Sequence, residues 1–252
     1  EFRMRDIASL LKEIELMDRF AFVVNDNLHL AKRRSLSFFN GLKNYSKKWV
    51  GLSMLRIGGD PDFLKMIKES HCWAMYIDLS PWISASLNEV IEGVQGDKAG
   101  EYIRRIREHN IKVIASFVFG FDHDDKDIFE KTVCFAKRLE IEEVEFHILT
   151  PYPGSRVFER LKNQGRLISQ RFSDYTSSKV VFRPAKMSPE ELYEGYLMAW
   201  KEFYSDECEE AAEGPVVRTF KCFPLDGESL LDYKGREKWV DSVLKKRDEN
   251  DV

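Results

Sequence analysis

Short apolar runs alternate along the first 150 residues with segments in which apolar residues recur at helical spacing. The apolar runs predict strands at residues 20–24, 49–55, 72–79, 112–121 and 144–149. The periodic segments predict helices at residues 7–17, 36–42, 61–69, 86–92, 100–108 and 127–139. No hairpin signal joins consecutive strands. The pattern therefore predicts an α/β fold with five parallel strands and right-handed crossovers, arranged as a sheet or a barrel.

The last predicted strand runs directly into a rigid turn. Pro151 and Pro153 fix φ and remove two backbone donors, whereas Gly154 can adopt a positive φ. The turn leaves backbone groups exposed at the carboxyl end of a strand, which is where α/β sheets and barrels bind ligands. A turn of this composition is also common as a purely structural feature, so its function has to be judged from the rest of the chain.

Beyond this turn the pattern changes. Residues 156–161 predict a short helix that Gly165 ends. The sequence Ser188-Pro189-Glu190-Glu191 is a capping box and predicts a helix that ends near residue 203. The acidic segment at residues 206–213 is typical of a linker. We therefore predict a barrel portion at residues 1–160, a helical extension at residues 161–205 and a charged tail at residues 206–252.

Composition narrows the classes of function. A chain of 252 residues with 43% hydrophobic residues can bury a sizeable core. The net charge of −4, with basic and acidic residues interspersed, gives no electrostatic case for nucleic-acid binding. No apolar run reaches the roughly 18 residues of a membrane span, and the first residues do not resemble a signal peptide. We expect a soluble cytoplasmic protein whose cysteines, Cys72, Cys134, Cys208 and Cys222, are reduced thiols.

Three stretches in a fixed order resemble radical SAM enzymes: residues 114–125 (IASFVFGFDHDD), residues 148–155 (ILTPYPGS) and residues 181–192 (VFRPAKMSPEEL). Within that superfamily the chain resembles the group whose members carry an N-terminal cobalamin-binding domain, over about residues 2–205. The resemblance implies a partial (β/α)6 TIM-like barrel with a C-terminal helical extension. It also implies S-adenosylmethionine and a [4Fe–4S] cluster for radical or methyl-transfer chemistry, and cobalamin held by a domain outside this chain.

In that family the cluster ligands come from a C-x3-C-x2-C loop after the first strand. The 252 residues contain no such loop, and the spacing of the four cysteines cannot replace it. The resemblance therefore implies that the cluster loop lies upstream, and that this chain by itself neither holds the cluster nor generates a radical. An upstream cobalamin-binding domain or a partner chain is expected to cover the edge strand that runs from Phe20 to Val24.

The resemblance also assigns a cofactor-facing set at the carboxyl ends of the strands. Its members are Asn25, Asp26, Asn27, Ser80, Phe119, Gly120, Asp122, Leu149, Pro151, Tyr152 and Gly154. Several positions depart from the family pattern, which usually has Gln at Leu52, Gly at Asp78, Glu at Ser80 and Asp at Asn25. Leu52 cannot hydrogen-bond a ligand, and Ser80 is too short and carries no charge to reproduce a Glu contact.

Other polar residues have structural interpretations. Asp122, Asp124 and Asp125 surround His123 and are candidate metal ligands. They are better explained as residues that cap the following helix and whose negative charges favour the dipole at its N-terminus. We therefore predict no metal site. His147 is interpreted as a packed or surface histidine, with a substrate-side role as the alternative. Arg183 and Tyr152 are candidate contacts to a carboxylate or a base.

Two functions of different class follow from these observations. The first is an enzyme: the C-terminal part of a cobalamin-type radical SAM barrel that acts on a small-molecule or modified substrate. The second is a non-catalytic barrel that serves as a binding or partner module. Three cysteines at C-x3-C-x2-C spacing upstream of residue 1 would favour the first.

Overall fold

Helices and strands alternate along most of the described chain up to Ile148, and helices follow beyond it. A computed structural model describes residues 5–16, 20–23, 32–83 and 94–205. The helices are α1 (Ile7–Leu16), α2 (Lys32–Leu42), α3 (Pro61–Glu69), α4 (Ser80–Ile83), α5 (Val94–Glu108), α6 (Ile128–Arg138), α7 (Arg156–Asn163) and α8 (Pro189–Tyr204). The strands are β1 (Phe20–Val23), β2 (Lys48–Ser53), β3 (Cys72–Asp78), β4 (Lys112–Phe119) and β5 (Glu143–Ile148). Within these ranges, no helix is both long and apolar enough to cross a membrane.

The strands lie in one sheet in the order of the sequence, β1-β2-β3-β4-β5. Parallel registers join the first four: Phe22 pairs with Val50, Leu52 pairs with Tyr76, and Asp78 pairs with Ser116. The predicted α/β fold with a parallel sheet is therefore confirmed, and parallel pairing is established for four strands. Because the carboxyl ends of parallel neighbours lie at the same edge, the loops after β2 and β3 emerge on one side of the sheet.

Three helix starts differ from the prediction: α2 begins at Lys32 rather than at residue 36, α5 begins early, and α4 was not predicted. α5 begins at Val94 rather than at residue 100, because the two glycines in its first turns hide the periodic signal. Buried Ala99 and Ile103 provide the packing that offsets the low helix propensity of glycine. α4 begins at Ser80, where Pro81 is compatible with the first helical turn. The helix predicted at residues 86–92 and the charged tail lie outside the described residues.

The predicted helix caps are present. The Asp60 carboxylate accepts a hydrogen bond from the Phe63 amide at 3.2 Å and begins α3. At the start of α8, the Ser188 hydroxyl accepts from the Glu191 amide at 3.1 Å, while the Glu191 carboxylate accepts from the Ser188 amide at 2.8 Å. These reciprocal bonds satisfy two of the amides that a helix start leaves without partners, so the capping box read from the sequence is confirmed.

The chain divides into two compact units. The first comprises the residues up to Phe117 together with Arg138–Glu145. The second comprises Val118–Lys137 together with the residues from Phe146 onward. The boundary passes through β4 and β5, so that each of these strands begins in the first unit and ends in the second.

Aromatic clusters form the core of each unit. In the first unit Trp49 is 1% exposed, stacks on Phe39 at a centroid distance of 5.0 Å, and donates its indole hydrogen to the Ser70 carbonyl at 2.8 Å. In the second unit Phe119 stacks on Phe146 at 5.5 Å and meets Phe129 edge-on at 4.8 Å. These rings supply large buried apolar areas, and the Trp49 indole is both buried and hydrogen-bonded.

Candidate functional site

The loops after β4 and β5 lie next to each other in the second unit. The Leu149 amide donates to the Phe119 carbonyl at 2.8 Å. The side chain of Leu149 lies 3.7 Å from the position that a Cβ on Gly120 would occupy. Phe119 is buried and Leu149 is half-buried. The structure thus brings together three members of the predicted cofactor-facing set: Phe119, Gly120 and Leu149.

Gly120 occupies a position that only glycine can fill without strain. Its φ is +105°, in the region that residues with a Cβ rarely adopt. A Cβ at this position would also lie 3.0 Å from Leu192 Cδ2 and 3.0 Å from Phe182 Cζ. The chain therefore turns sharply after β4 against side chains from the C-terminal segment.

Asp124 holds this turn from inside. Its Oδ2 accepts hydrogen bonds from the Gly120 and Phe121 amides, both at 2.8 Å. The residue is only 1% exposed, and among the described residues its Oδ1 has no hydrogen-bond partner, although His123 Nε2 lies 3.5 Å away. Burial raises the pKa of Asp124, because removing the carboxylate from water disfavours its charged form.

Asp122 lies between two arginines on the outer side of the same turn. Its Oδ1 pairs with Arg166 Nη1 at 2.8 Å, and its Oδ2 pairs with Arg160 Nη2 at 3.1 Å. The Arg166 side chain is 18% exposed, and its Nε donates to the Arg183 carbonyl at 2.7 Å. Arg183, a candidate carboxylate contact, is itself exposed and contributes this carbonyl. These pairings hold Asp122 in one orientation.

The residues of the proline turn differ in their exposure to solvent. Pro151 is buried, Tyr152 is 57% exposed, and a Cβ on Gly154 would meet nothing within 4 Å. The Thr150 hydroxyl donates towards the Ile148 and Thr176 carbonyls, each at 3.1 Å. The start of the turn is thereby tied down, while Tyr152 and Gly154 face open space.

In the first unit, the predicted site residue Ser80 is engaged by Asp78 in a local turn. The Ser80 amide and hydroxyl donate to Asp78 Oδ1 at 2.9 and 2.6 Å, so Ser80 closes a local turn after β3. Ser80 is buried and Asp78 is exposed, while Leu52 is half-buried on β2. Asn25, Asp26 and Asn27 lie outside the described residues.

A polar cluster on the sheet was not predicted from the sequence. Tyr76 on β3 donates its hydroxyl to Glu145 Oε2 on β5 at 2.9 Å and also hydrogen-bonds Ser116 on β4. Burial, followed by the charge of Glu145, raises the pKa of Tyr76. The alternation of Glu143, Glu145 and His147 along β5 is the signal that could have revealed this polar face.

The acidic residues before α6 do not gather around a metal site. Asp122 pairs with arginines, Asp124 accepts from amides, and Asp125 Oδ1 accepts from the Asp127 amide at 3.2 Å. Across the described ranges, no group of three or more His, Cys, Asp or Glu residues could hold a metal ion. The local turn bonds of Asp124 and Asp125 agree with the structural interpretation of these residues.

The two cysteines that the structure describes do not fit a [4Fe–4S] cluster. Cys72 is buried on β3, and burial raises the pKa of its thiol, which disfavours the thiolate that binds iron. Cys134 is exposed on α6. Cys208 and Cys222 lie outside the described residues.

Comparison with known proteins points to one superfamily. The bacteriochlorophyllide d C-12(1)-methyltransferase of Chlorobaculum tepidum is 27% identical over 214 residues, covering 81% of this chain and 46% of that protein. The anaerobic magnesium-protoporphyrin IX monomethyl ester cyclase of Cereibacter sphaeroides is 22% identical over 216 residues, covering 81% of this chain and 35% of that protein. The solved structure of the radical S-adenosylmethionine methyltransferase TsrM from Kitasatospora setae aligns with a TM-score of 0.56 at 13% identity, over 79% of this chain and 46% of that chain.

The resemblance to the radical SAM superfamily is confirmed. The likeness to TsrM concerns the fold, an α/β fold with a parallel sheet. Residues 155–208 also match a family described as "Domain of unknown function (DUF4070)". The chain spans less than half the length of the radical SAM relatives described above.

Proposed function

We propose that this chain is the barrel portion of a radical SAM enzyme of the cobalamin-dependent type, which transfers a methyl group or performs radical chemistry on a small organic substrate. The observation that carries the proposal is the adjacency of the Gly120 turn and the Leu149 loop at the ends of β4 and β5, in a chain whose relatives include methyltransferases and a cyclase. In a parallel α/β fold this end is the usual ligand site. We further propose that the strands form part of a (β/α)6 barrel.

The residues after β4 and β5 suit the adenosyl part of S-adenosylmethionine. Half-buried Leu149 offers apolar surface and Tyr152 offers an exposed aromatic ring, while buried Pro151 stiffens the loop between them. The positive φ of Gly120 shapes the neighbouring loop. Asp122 and Gly154 flank these groups along the two loops. Asn25, Asp26, Asn27 and Ser80 complete the proposed set by their position after earlier strands. When bound, S-adenosylmethionine supplies the methyl group or the adenosyl fragment for the reaction.

The [4Fe–4S] cluster does not fit the described residues of this chain, because among them neither the buried Cys72 nor the exposed Cys134 belongs to a group that could hold iron. We propose that its ligands, and those of cobalamin, come from parts of the whole protein beyond these 252 residues. An upstream domain or a partner chain would then also cover the β1 edge of the sheet. We propose a cytoplasmic location, which the free thiols of Cys72 and Cys134 support.

A second function is favoured by the altered loops of the first unit. Ser80 uses both its amide and its hydroxyl within a local turn to Asp78, and Leu52 offers no polar atom to a ligand. A barrel with these contacts is suited to a binding or partner module without catalysis. The two functions differ in whether the whole protein holds an iron–sulfur cluster.

A binding experiment tests the proposed cofactor surface. Titration of the 252-residue protein with S-adenosylhomocysteine in a calorimeter should give a Kd of about 0.1–1 mM, since the contacts of the open iron are missing. Leu149→Asp should abolish this binding, because it places a charge against the adenine. Ile168→Asp, at a position that is 48% exposed, is the matched control and should leave it unchanged. Absence of binding by the wild type, or equal loss in both variants, would contradict the proposal.

Iron content separates the two candidate functions. After anaerobic reconstitution, the 252-residue protein should show no iron–sulfur absorbance, because its cysteines do not form the site. The full-length protein should bind about four irons per chain if it is an enzyme of the proposed class. A full-length protein that binds no iron would favour the binding module.

A further inference from the structure

The segment matched by the family of unknown function contacts the loop after β4 at many points. The loop of residues 120–126 follows β4 and precedes α6. The contacts come from six residues of the matched segment, which we call the clamp: Arg160, Arg166, Phe182, Lys186, Glu191 and Leu192. All of them belong to the second unit.

The apolar part of the clamp limits the space around the turn. Phe182 and Leu192 are both 0% exposed, and each would lie 3.0 Å from a Cβ on Gly120. Residues this close to the backbone leave no room for Gly120 to move towards them. The start of the loop is therefore packed from the clamp side.

The polar part of the clamp complements the charge of the loop. Between residues 122 and 127 the sequence has four acidic side chains, at positions 122, 124, 125 and 127. Such a run repels itself unless cations lie close by. Arg160 and Arg166 bind the two oxygens of Asp122, and Lys186 Nζ donates to the His123 carbonyl at 2.9 Å. The clamp thus brings three cations to the first half of the loop.

The end of the loop is held by a carboxylate with two partners. Lys126 Nζ pairs with Glu191 Oε1 at 2.6 Å, and Glu191 Oε2 accepts from the Ser188 amide in the capping box. The bond to Lys126, then that to Ser188, lowers the pKa of Glu191, so it stays ionised. The position of Lys126 is thereby tied to the start of α8.

Arg166 is the central residue of the clamp because its guanidinium is fixed on several sides. Its Nε donates to the Arg183 carbonyl at 2.7 Å and its Nη1 to Gln164 Oε1 at 3.1 Å, while the same Nη1 pairs with Asp122. A planar guanidinium group held in this way pairs with Asp122 in one orientation. A lysine at this position could supply the positive charge but not the fixed set of donors.

We infer that the clamp sets the conformation of the loop of residues 120–126, and that Arg166 is a positioning residue that acts through Asp122. The functional part of this inference rests on the proposed function, because the same loop supplies Gly120 to the cofactor surface. Asp124 holds the Gly120 and Phe121 amides from inside, and the clamp holds Asp122 and His123 from outside. A role for the matched segment follows: it prepares the loop after β4 for its ligand.

Amide hydrogen exchange tests the inference directly. The Gly120 and Phe121 amides bond to Asp124 and should exchange slowly in the wild type. In Arg166→Met they should exchange about tenfold faster or more, and Arg166→Lys should recover part of the protection. Arg171→Met removes another arginine of the same segment, one that pairs with Asp174 away from the loop, and should leave loop exchange unchanged. Unchanged exchange in Arg166→Met, or an equal rise in Arg171→Met, would overturn the inference.

Exchange in a second variant and nucleoside binding by Arg166→Met extend the test. If Arg166→Met does not fold, Lys186→Met removes one exposed contact to His123 and should raise exchange of the Asp124 amide, which donates to the Phe121 carbonyl at 3.0 Å, by a smaller factor. An unchanged rate there would also count against the clamp. S-adenosylhomocysteine should bind Arg166→Met more weakly than the wild type. If the wild type binds no S-adenosylhomocysteine, the proposed function is refuted. The amide hydrogen exchange measurements would still test the clamp, because they do not depend on nucleoside binding.

Discussion

Asp124 combines favourable hydrogen bonds with an unfavourable place for a charge. Two amides bond to one oxygen, while the other oxygen is buried without a hydrogen-bond partner in the described part of the chain. The first arrangement favours the ionised form and the burial opposes it. Burial has the larger effect and raises the pKa of Asp124 above its ordinary value of 3.8.

The raised pKa predicts how stability depends on pH. Because folding favours the protonated form of Asp124, its contribution is fully present below the ordinary pKa and is lost as pH rises through the folded pKa. The unfolding free energy of the wild type, relative to Asp124→Asn, should therefore fall as pH rises from about 4 towards neutrality. The neighbouring groups His123 and Asp125 are the same in both proteins. Urea denaturation at a series of pH values measures this difference, and a difference that rises with pH would contradict the assignment.

Gly120 and Gly154 form a matched pair for separating conformational strain from crowding. Both have a positive φ, +105° and +87°, but only Gly120 has side chains close to the position of a Cβ. Gly120→Ala should destabilise the fold by about 2–4 kcal/mol, from left-handed strain and overpacking together. Gly154→Ala should cost about 1–2 kcal/mol from strain alone. Urea denaturation gives both values, and equal costs would show that Leu192 and Phe182 leave room at Gly120.

At the level of elements, helix α8 crosses α6 through a glycine. A Cβ on Gly195 would lie 2.1 Å from Phe129 Cε2, closer than real Cβ atoms approach. Phe129 in turn packs edge-on against Phe119 at the end of β4. The helix crossing therefore depends on a residue with no side chain, and it positions the aromatic ring that supports the candidate site.

Gly195→Ala should destabilise the second unit despite the better helix propensity of alanine. The gain in propensity is about 1 kcal/mol, whereas overpacking against a buried ring costs about 1–3 kcal/mol or more. The double variant Gly195→Ala, Phe129→Leu should recover part of this loss, because the shorter side chain gives the new methyl group room. Thermal unfolding of the two single variants and the double variant measures the coupling. A stabilised Gly195→Ala would indicate that the helices separate easily.

Most elements of this fold could be predicted from the sequence because their signals are local. The capping box at Ser188 and the Asp60 cap contain their partners within three residues, so the pattern itself specifies the bonds. The start of α5 at Val94 was missed because packing of residues far along the chain overrides glycine propensity. The local periodicity of the sequence carries no information about packing against distant residues.

At the level of the whole molecule, the two units share two strands. β4 and β5 each start in the first unit and end in the second. Both strands are continuous stretches of backbone across this boundary. We therefore expect the two units to unfold together. Scanning calorimetry should show one transition with equal calorimetric and van't Hoff enthalpies. Two separated transitions would show that the shared strands transmit little stability.

The candidate site was predicted only in part, for a physical reason. Resemblance to a motif identifies Gly120 and Leu149, and the fold brings them together because β4 and β5 are neighbours in the sheet and the Leu149 amide bonds to the Phe119 carbonyl. The partners of Asp122 could not be read in this way. Arg160 and Arg166 lie far along the chain, and nothing in a local pattern specifies which cation reaches which carboxylate. The Tyr76 and Glu145 pair was missed for the same reason.

The double pairing of Asp122 has an evolutionary consequence. Because both of its oxygens are engaged by guanidinium groups, a substitution that removes the carboxylate leaves two cations facing each other, one of them largely buried. Lineages that lose the acid at position 122 should therefore also lose the arginine at position 166, whereas the more exposed Arg160 is free to drift. Position 122 in the loop and position 166 in the C-terminal segment should thus covary.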